Sequence, residues 1–202
     1  MKTLLLSGLL ALVAALPATA QDQSPNEVIE SAVLELAEKM AGREDELAKD
    51  RESLYALIDE VLLPRFDRKF AAQVVLAKHW RTASEEQRER FIEAFYQALL
   101  RKYADGVLEF DQDRVKVMPF RGDETKKRTK VKSTVQLNDG SKVAVDYELV
   151  KRESGWLLFN VVIEGVSYVR NFRAELDSEV RSTSVDAVIE RLEAEAGISA
   201  DE

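Results

Sequence analysis

VLAKHWRTASEEQRERFIEAFYQALLRKY, residues 75–103, holds two helices and the signal that separates them. The first helix is expected to end at Trp80. Ser84-Glu85-Glu86-Gln87 is a capping box, in which the serine hydroxyl and the glutamine side chain satisfy each other's orphan backbone N–H groups. The helix that follows places Phe91, Phe95, Ala98, Leu99 and Tyr103 on one face and Glu85, Glu89, Arg90, Glu93 and Arg101 on the other. Such a stripe predicts an amphipathic helix with one buried side.

Working towards the N-terminus, Ser24-Pro25-Asn26-Glu27 is a second capping box with Pro at the first helical position. Val28, Ile29, Ala32, Val33, Leu36 and Met40 then recur at helical spacing. Gly42 and the charged run Arg43–Arg51 predict a connection. Leu54, Leu57, Ile58, Val61 and Leu62 give another helix, which Pro64 interrupts. Phe66, Phe70 and Val74 follow at four-residue intervals.

Working towards the C-terminus, the period changes to two. Val115 and Val117 form a first alternating segment; Thr129, Val131, Ser133, Val135 and Leu137 a second; Val143, Val145, Tyr147 and Leu149 a third. Alternation of this kind predicts strands with one wet face. Turn residues separate them at Arg121-Gly122-Asp123, Asn138-Asp139-Gly140 and Ser154-Gly155. Trp156–Ile163 is apolar on both faces except at Asn160, which predicts the most enclosed strand. Tight turns between consecutive strands imply a four-stranded antiparallel meander. A helix starting near Gly165 and Ser167, and a last one over Ser184–Ala196, complete the pattern. Helices before and after one curved sheet make an α+β fold, expected as a single domain over residues 21–202.

The first twenty residues have the form of a signal peptide: Lys2, the short apolar run Leu4–Leu16, and Ala18-Thr19-Ala20 as the cleavage site. No Cys follows that site, so an acyl anchor on cysteine is excluded. Removing Lys2 from 29 basic and 37 acidic residues leaves 28 against 37, a mature net charge of −9. That balance argues against nucleic-acid binding, which rests on counterion release at a basic surface. The absence of Cys removes disulfides, thiolate metal sites and cysteine nucleophiles.

Little in the sequence suggests chemistry. His79 is the single histidine. It lies between Lys78 and Trp80 at the expected end of a helix, where an imidazolium is favoured by the helix dipole, and neither a nucleophile elbow nor metal-ligand spacing accompanies it. Carboxylate pairs such as Asp59/Glu60 and Glu109/Asp111 are the expected outcome of a chain that is 33% charged. Asn160 and Glu164 lie in or beside the apolar strand, and a buried amide or carboxylate must be hydrogen-bonded; a structural role and a catalytic one both satisfy that requirement. Lys126, Lys127, Arg128, Lys130 and Lys132 form a basic cluster, readable as a protected sheet edge or as a docking patch for an acidic partner or lipid phosphates. Neither metal nor cofactor is expected.

Two blocks carry a resemblance. The first is Leu76-Ala77-Lys78-His79-Trp80, SEEQRERFIEAF at residues 84–95, Leu99 and Tyr103-Ala104; the second is Trp156 and VVIEGVSYVRNFR at residues 161–173, with Glu164-Gly165-Val166-Ser167 its most specific core. In this order and spacing the chain resembles the MlaC family, also called the toluene-tolerance auxiliary family, from Asn26 to about Leu176. Ala77 stands where that family often has Gly, and Asn160 where Asp is usual. The resemblance implies a cone similar to nuclear transport factor 2, with a sheet and helices around a hydrophobic pocket for phospholipid tails. It further implies a monomeric, non-enzymatic periplasmic carrier that maintains outer-membrane lipid asymmetry. Its partners would be an outer-membrane lipoprotein–porin complex and an inner-membrane ABC transporter with an MCE-domain ring. A hopanoid-linked branch of similar proteins keeps the cargo open.

The expected pocket sets Phe66, Phe70, Val74, Phe91, Phe95, Leu99 and Tyr103 against Val115, Val117, Val131, Val135, Val145, Tyr147, Phe159 and Val161. Periodicity does not distinguish a filled core from a hollow one. Two further readings therefore stand beside the carrier: an isomerase-like enzyme in the same pocket, and an envelope adaptor with a solid core and a basic docking strand.

Overall fold

Helix α1 (Pro25–Met40) begins where its capping box places it: Ser24 Oγ accepts from the Glu27 N–H and the Glu27 carboxylate accepts from the Ser24 N–H at 2.7 Å. The computed structural model describes residues 23–137 and 139–198; the expected signal peptide, and Asn138 of the second turn, lie outside the described residues. The charged run expected as a connection folds into a short helix, α2 (Glu44–Lys49). Three carboxylates in its first turn complement the helix dipole, and Leu47, fully buried, docks it onto Leu54 and Leu57. Helix α3 (Arg51–Leu62) is capped by Asp50, which accepts from the Ser53 N–H at 3.2 Å, and gives way to a 3-10 turn at Pro64.

The segment read as one helix ending at Trp80 is two. Helix α4 (Arg68–Leu76) stops at Ala77, whose φ of 49° and ψ of −111° turn the chain before α5 (Lys78–Thr82). Helix α6 (Glu85–Tyr103) then starts from Ser84 with both capping-box bonds formed. Arg88 fixes the corner by donating to the Trp80 carbonyl at 2.8 Å while its guanidinium lies over the Trp80 ring. A single turn, α7 (Asp105–Leu108), leads to the sheet.

Among the described residues the sheet is an antiparallel meander of five strands rather than four: β1 (Val115–Val117), β2 (Arg128–Gln136), β3 (Lys142–Arg152), β4 (Gly155–Ile163) and β5 (Val166–Ser167), in that order. The extra strand arises because Glu164 and Gly165 both take positive φ and reverse the chain immediately, so Val166 and Ser167 pair with Ile163 and Val162. Between β1 and β2 runs a loop, residues 118–127, where a tight turn was expected. No residue of β4 is exposed. Beyond the reach of β5, its outer edge is covered by Phe66 and Asp67, the latter donating its N–H to the Leu158 carbonyl at 2.8 Å. Helix α8 (Tyr168–Ser182) follows β5, with Ser167 as its N-cap, and α9 (Val185–Glu195) ends the described chain.

Among the described residues, four apolar clusters hold these elements together. Phe91 and Phe95 of α6 meet Trp80, Val169, Leu176 and the α9 residues Val188, Ile189 and Leu192. Leu36, Leu47, Leu54, Leu57 and Leu100 join α1, α2, α3 and α6. Val28 and Ile29 lie on Val131, Leu149 and Trp156 of the sheet. Ala71 meets Val150 and Phe159.

Among the described residues, Ala77 is the one non-glycine besides Glu164 with a positive φ. An L-residue in its conformation costs about 1–3 kcal/mol, partly offset by the larger chain entropy a glycine loses on folding. Ala77→Gly is therefore expected to stabilise the protein by about 1 kcal/mol, a rise of roughly 2–4 °C in Tm. Thermal unfolding of the two proteins side by side checks this; a lower Tm for the variant would refute it.

Candidate functional site

Where the four clusters meet they leave a gap. The Ile58 and Leu62 side of α3, the Phe95, Leu99 and Tyr103 stripe of α6, the Phe159–Ile163 end of β4 and the first turns of α8 enclose a cavity of about 320 Å³. An engineered apolar cavity of about 150 Å³ already admits benzene, and ligand pockets start near 300 Å³. This cavity opens to solvent beside Tyr103, Ile163, Tyr168 and Phe172, which also border a wider vestibule with Lys102, Val166, Asn171 and Glu175. Tyr103 and Val166 are 39% and 51% exposed there, an apolar rim in contact with water.

Aromatic edges define the wall. Phe95 meets Phe172 with ring centroids 5.4 Å apart and planes at 83°, and Tyr103 meets Tyr168 at 5.1 Å and 76°. Such edge-to-face contacts join α6 to α8 while keeping them a ring's width apart.

Two buried polar groups at the lining, Asn160 and Tyr96, are already committed. Asn160 is 4% exposed; its amide nitrogen donates to Glu148 Oε2 at 2.7 Å and Ser167 Oγ at 2.9 Å, and its carbonyl accepts from the Val169 N–H at 3.1 Å. It ties β4 to β3 and to the start of α8. The Tyr96 hydroxyl donates to Asp59 Oδ1 at 2.6 Å. Burial, helped by that carboxylate, pushes the Tyr96 phenol far above its ordinary range, so it stays protonated at any physiological pH.

His79 lies outside the cavity. The turn at Ala77 swings it towards α8 instead of leaving it at a helix end, and its Nε2 lies 2.8 Å from Asp177 Oδ1. Lys78 reaches the same oxygen at 2.7 Å. Hydrogen bonds from Lys78 and His79, with the charge of Arg181 nearby, hold the Asp177 carboxyl down at about 2 against an ordinary 3.8. Among the described residues, no group of three His, Cys, Asp or Glu side chains could hold a metal ion.

The pocket residues expected from sequence divide into two groups. Phe66, Phe95, Leu99, Tyr103, Phe159 and Val161 line the cavity. Phe70 stands behind it, edge-on to Phe159 at 4.9 Å and covered by the guanidinium groups of Arg128 and Arg152. Val74 and Phe91 belong to the solid helical cluster. Val117, Val131 and Tyr147 lie beneath α1 in the sheet cluster, and Val115, Val135 and Val145 also lie away from the cavity. The reason is α1: Val28 and Ile29 fill the concave face of β2 and β3, so the hollow survives only towards β4. Sequence reasoning missed Ile58 and Leu62, spaced i, i+4 before Pro64, and Tyr168 and Phe172, spaced i, i+4 within the second resemblance block. Leu158 and Ile163 were hidden because β4 is apolar on both faces.

The basic cluster is dispersed as well. Arg128 is spent on Phe70, and Lys130 pairs with Asp146 at 2.9 Å. Lys126 and Lys127 border an open groove with Lys151 and Arg152, and Lys132 is exposed on β2.

An apolar cavity with an open rim, its buried amide and the Tyr96 phenol committed to the fold, defines a binder of hydrocarbon ligands as the class of protein this architecture suits. The sequence pattern of the family described as MlaC protein matches residues 30–194, and the chain belongs to that family. It is 27% identical over 188 residues to the toluene tolerance protein ttg2D of Pseudomonas putida, covering 92% of this chain and 87% of that one. It is 22% identical over 179 residues to the intermembrane phospholipid transport system binding protein MlaC of Haemophilus influenzae, covering 87% and 83%. The fold matches the phospholipid-binding protein of Ralstonia solanacearum, solved in complex with a phospholipid, with a TM-score of 0.77 at 23% identity over 87% of this chain and 98% of that chain.

Two outcomes follow from the polar groups. Asn160→Asp sets a carboxylate against Glu148 and is expected to cost about 1–3 kcal/mol, recovered when Glu148→Gln is added; denaturant unfolding of the single and double variants measures this, and an unchanged Asn160→Asp protein would contradict it. For Asp177 the folded carboxyl titrates below the unfolded one. Its contribution is thus complete above pH 3.8 and lost as pH falls towards about 2. Asp177→Asn should flatten the acid limb of the stability curve in that window, as followed by circular dichroism.

Proposed function

We propose that this chain is a periplasmic phospholipid carrier, its acyl tails held in the cavity between β4, α6 and α8 and its headgroup left at the rim. The observation that carries this is the cavity itself: apolar, open at one side, with the amide of Asn160 and the hydroxyl of Tyr96 already bonded within the fold. Burial of a methylene is worth about 0.8 kcal/mol, so a sixteen-carbon tail bare in water costs on the order of 12 kcal/mol. Lipid crosses an aqueous space at a useful rate only if that surface stays covered. Membership of the MlaC family and the phospholipid held by the Ralstonia protein support the same ligand class.

In this reading the carrier acts as a monomer without a resident cofactor. It moves lipid between an outer-membrane lipoprotein–porin complex and an inner-membrane ABC transporter with an MCE-domain ring, and so maintains the asymmetry of the outer membrane. The groove edged by Lys126 and Lys127 is a docking surface for acidic partners, to which Arg128, Lys130 and Lys132 add positive charge along β2. An enzymatic reading loses support from the same inventory, because His79 faces Asp177 rather than the cavity.

Organic extraction of the purified protein is expected to yield phospholipid in near-stoichiometric amount, quantified by mass spectrometry. Leu99→Trp, which displaces about two methylenes' worth of contact or ~1.6 kcal/mol, should lower lipid affinity roughly tenfold with the circular dichroism spectrum retained. Lipid-free wild type, or undiminished binding by a folded Leu99→Trp protein, would reject the cavity as the lipid site.

A further inference from the structure

Among the described residues that border the vestibule at the cavity mouth are one cation, Lys102 of α6, and one carboxylate, Glu175 of α8. Lys102, the penultimate residue of α6, holds its ammonium 5.1 Å from the centre of the Phe172 ring and 5.9 Å from that of Tyr103. Glu175 lies one turn beyond Phe172 on α8, and both charges border the same vestibule together with Asn171. Elsewhere facing helices close their opposite charges on each other, as Arg90 of α6 does on Glu193 of α9 at 2.8 Å and Arg191 of α9 on Glu179 of α8 at 2.6 Å. Lys102 and Glu175 form no ion pair with each other or with any other described residue. The Phe172 ring beneath the Lys102 ammonium belongs to the lining of the cavity.

A positive and a negative group kept apart beside an apolar opening complement a ligand that is apolar below and carries both charges above. The geometry points to a headgroup site selective for zwitterionic phospholipids bearing a primary ammonium, the phosphoethanolamine class. Lys102 would pair with the phosphodiester and Glu175 would accept from the ammonium, which lies a two-carbon tether away. Asn171, with donor and acceptor on one amide, serves either end. A phosphoglycerol headgroup supplies the anion but leaves Glu175 facing hydroxyls. This assignment rests on the cavity being the seat of the lipid tails. Glu175 adds preference and Lys102 a modest affinity common to both headgroups, because exposed charge pairs contribute little while the buried tail contributes most.

The test uses the full mature chain incubated with vesicles containing equal amounts of phosphoethanolamine and phosphoglycerol lipids with identical acyl chains. The protein is re-isolated and its lipid quantified by mass spectrometry. Wild type is expected to enrich phosphoethanolamine lipid about two- to fivefold, the range an exposed ion pair supports. Glu175→Gln should bring the ratio close to that of the vesicles without lowering total lipid. Lys102→Gln should lower capture of both lipids by a similar factor. Capture by wild type in vesicle proportions, or an enrichment that survives Glu175→Gln, overturns the headgroup assignment and leaves the lipid cavity standing. Capture of no lipid at all overturns the cavity reading, and the headgroup site falls with it.

Discussion

The edge-to-face contacts between α6 and α8 are the constraint on which this structure turns. Aliphatic side chains at Phe95, Tyr103, Tyr168 and Phe172 would let the two helices close together and fill the space behind them. Rings set perpendicular cannot be compressed without losing their favoured geometry. Helix packing distances depend on the side chains at the contact. Aromatic spacing at the mouth therefore leaves the interior wider than an all-aliphatic core would.

A wall made of one helix must also be held in register along its length. Asn160 does so at the first turn of α8, where one buried amide bonds the Val169 N–H, Ser167 and Glu148 together. Asp177 does so further along, gathering Lys78 and His79 from the turn that Ala77 creates. Near the end, Glu179 accepts two bonds from Arg191 of α9, at 2.7 and 2.6 Å. Three polar ties along its length replace the apolar contact that α8 forgoes by facing a hollow. The backbone strain at Ala77 belongs to the same device, since a straight α4–α5 helix would carry His79 and Lys78 away from Asp177.

Much of this was legible in the sequence. Both capping boxes, the change of period at residue 114 and the Pro64 break follow from local rules that tertiary contacts did not overrule. The α+β class followed from their order. The cavity was half legible. Phe95, Leu99 and Tyr103 were found because an amphipathic helix shows its buried face as a stripe. Val131 and Tyr147 were misplaced because alternation reports which face is buried but not what covers it, and α1 covers theirs. Tyr168 and Phe172 escaped notice for the converse reason: on a helix whose other faces carry Arg170, Arg173 and Glu175, two aromatics look like an ordinary anchor. The fifth strand was invisible because two residues are too few to show a period.

The division between a packed half and a hollow half explains how one small fold tolerates the vacancy. At the rate found for engineered core cavities, an unfilled volume of about 320 Å³ would carry a penalty on the order of 8 kcal/mol, an upper bound for a cavity open at one side. That is comparable with the whole net stability of a typical domain, about 5–15 kcal/mol. The opposing stability comes from side chains with no void beside them: Phe91, Leu54, Leu149, Val188 and Ile189 are all at 0% exposure. None of these lines the cavity. The interior can therefore fill or empty without disturbing the contacts that keep the chain folded. Any apolar ligand that enters contributes its binding energy to the native state alone, so occupancy and stability rise together.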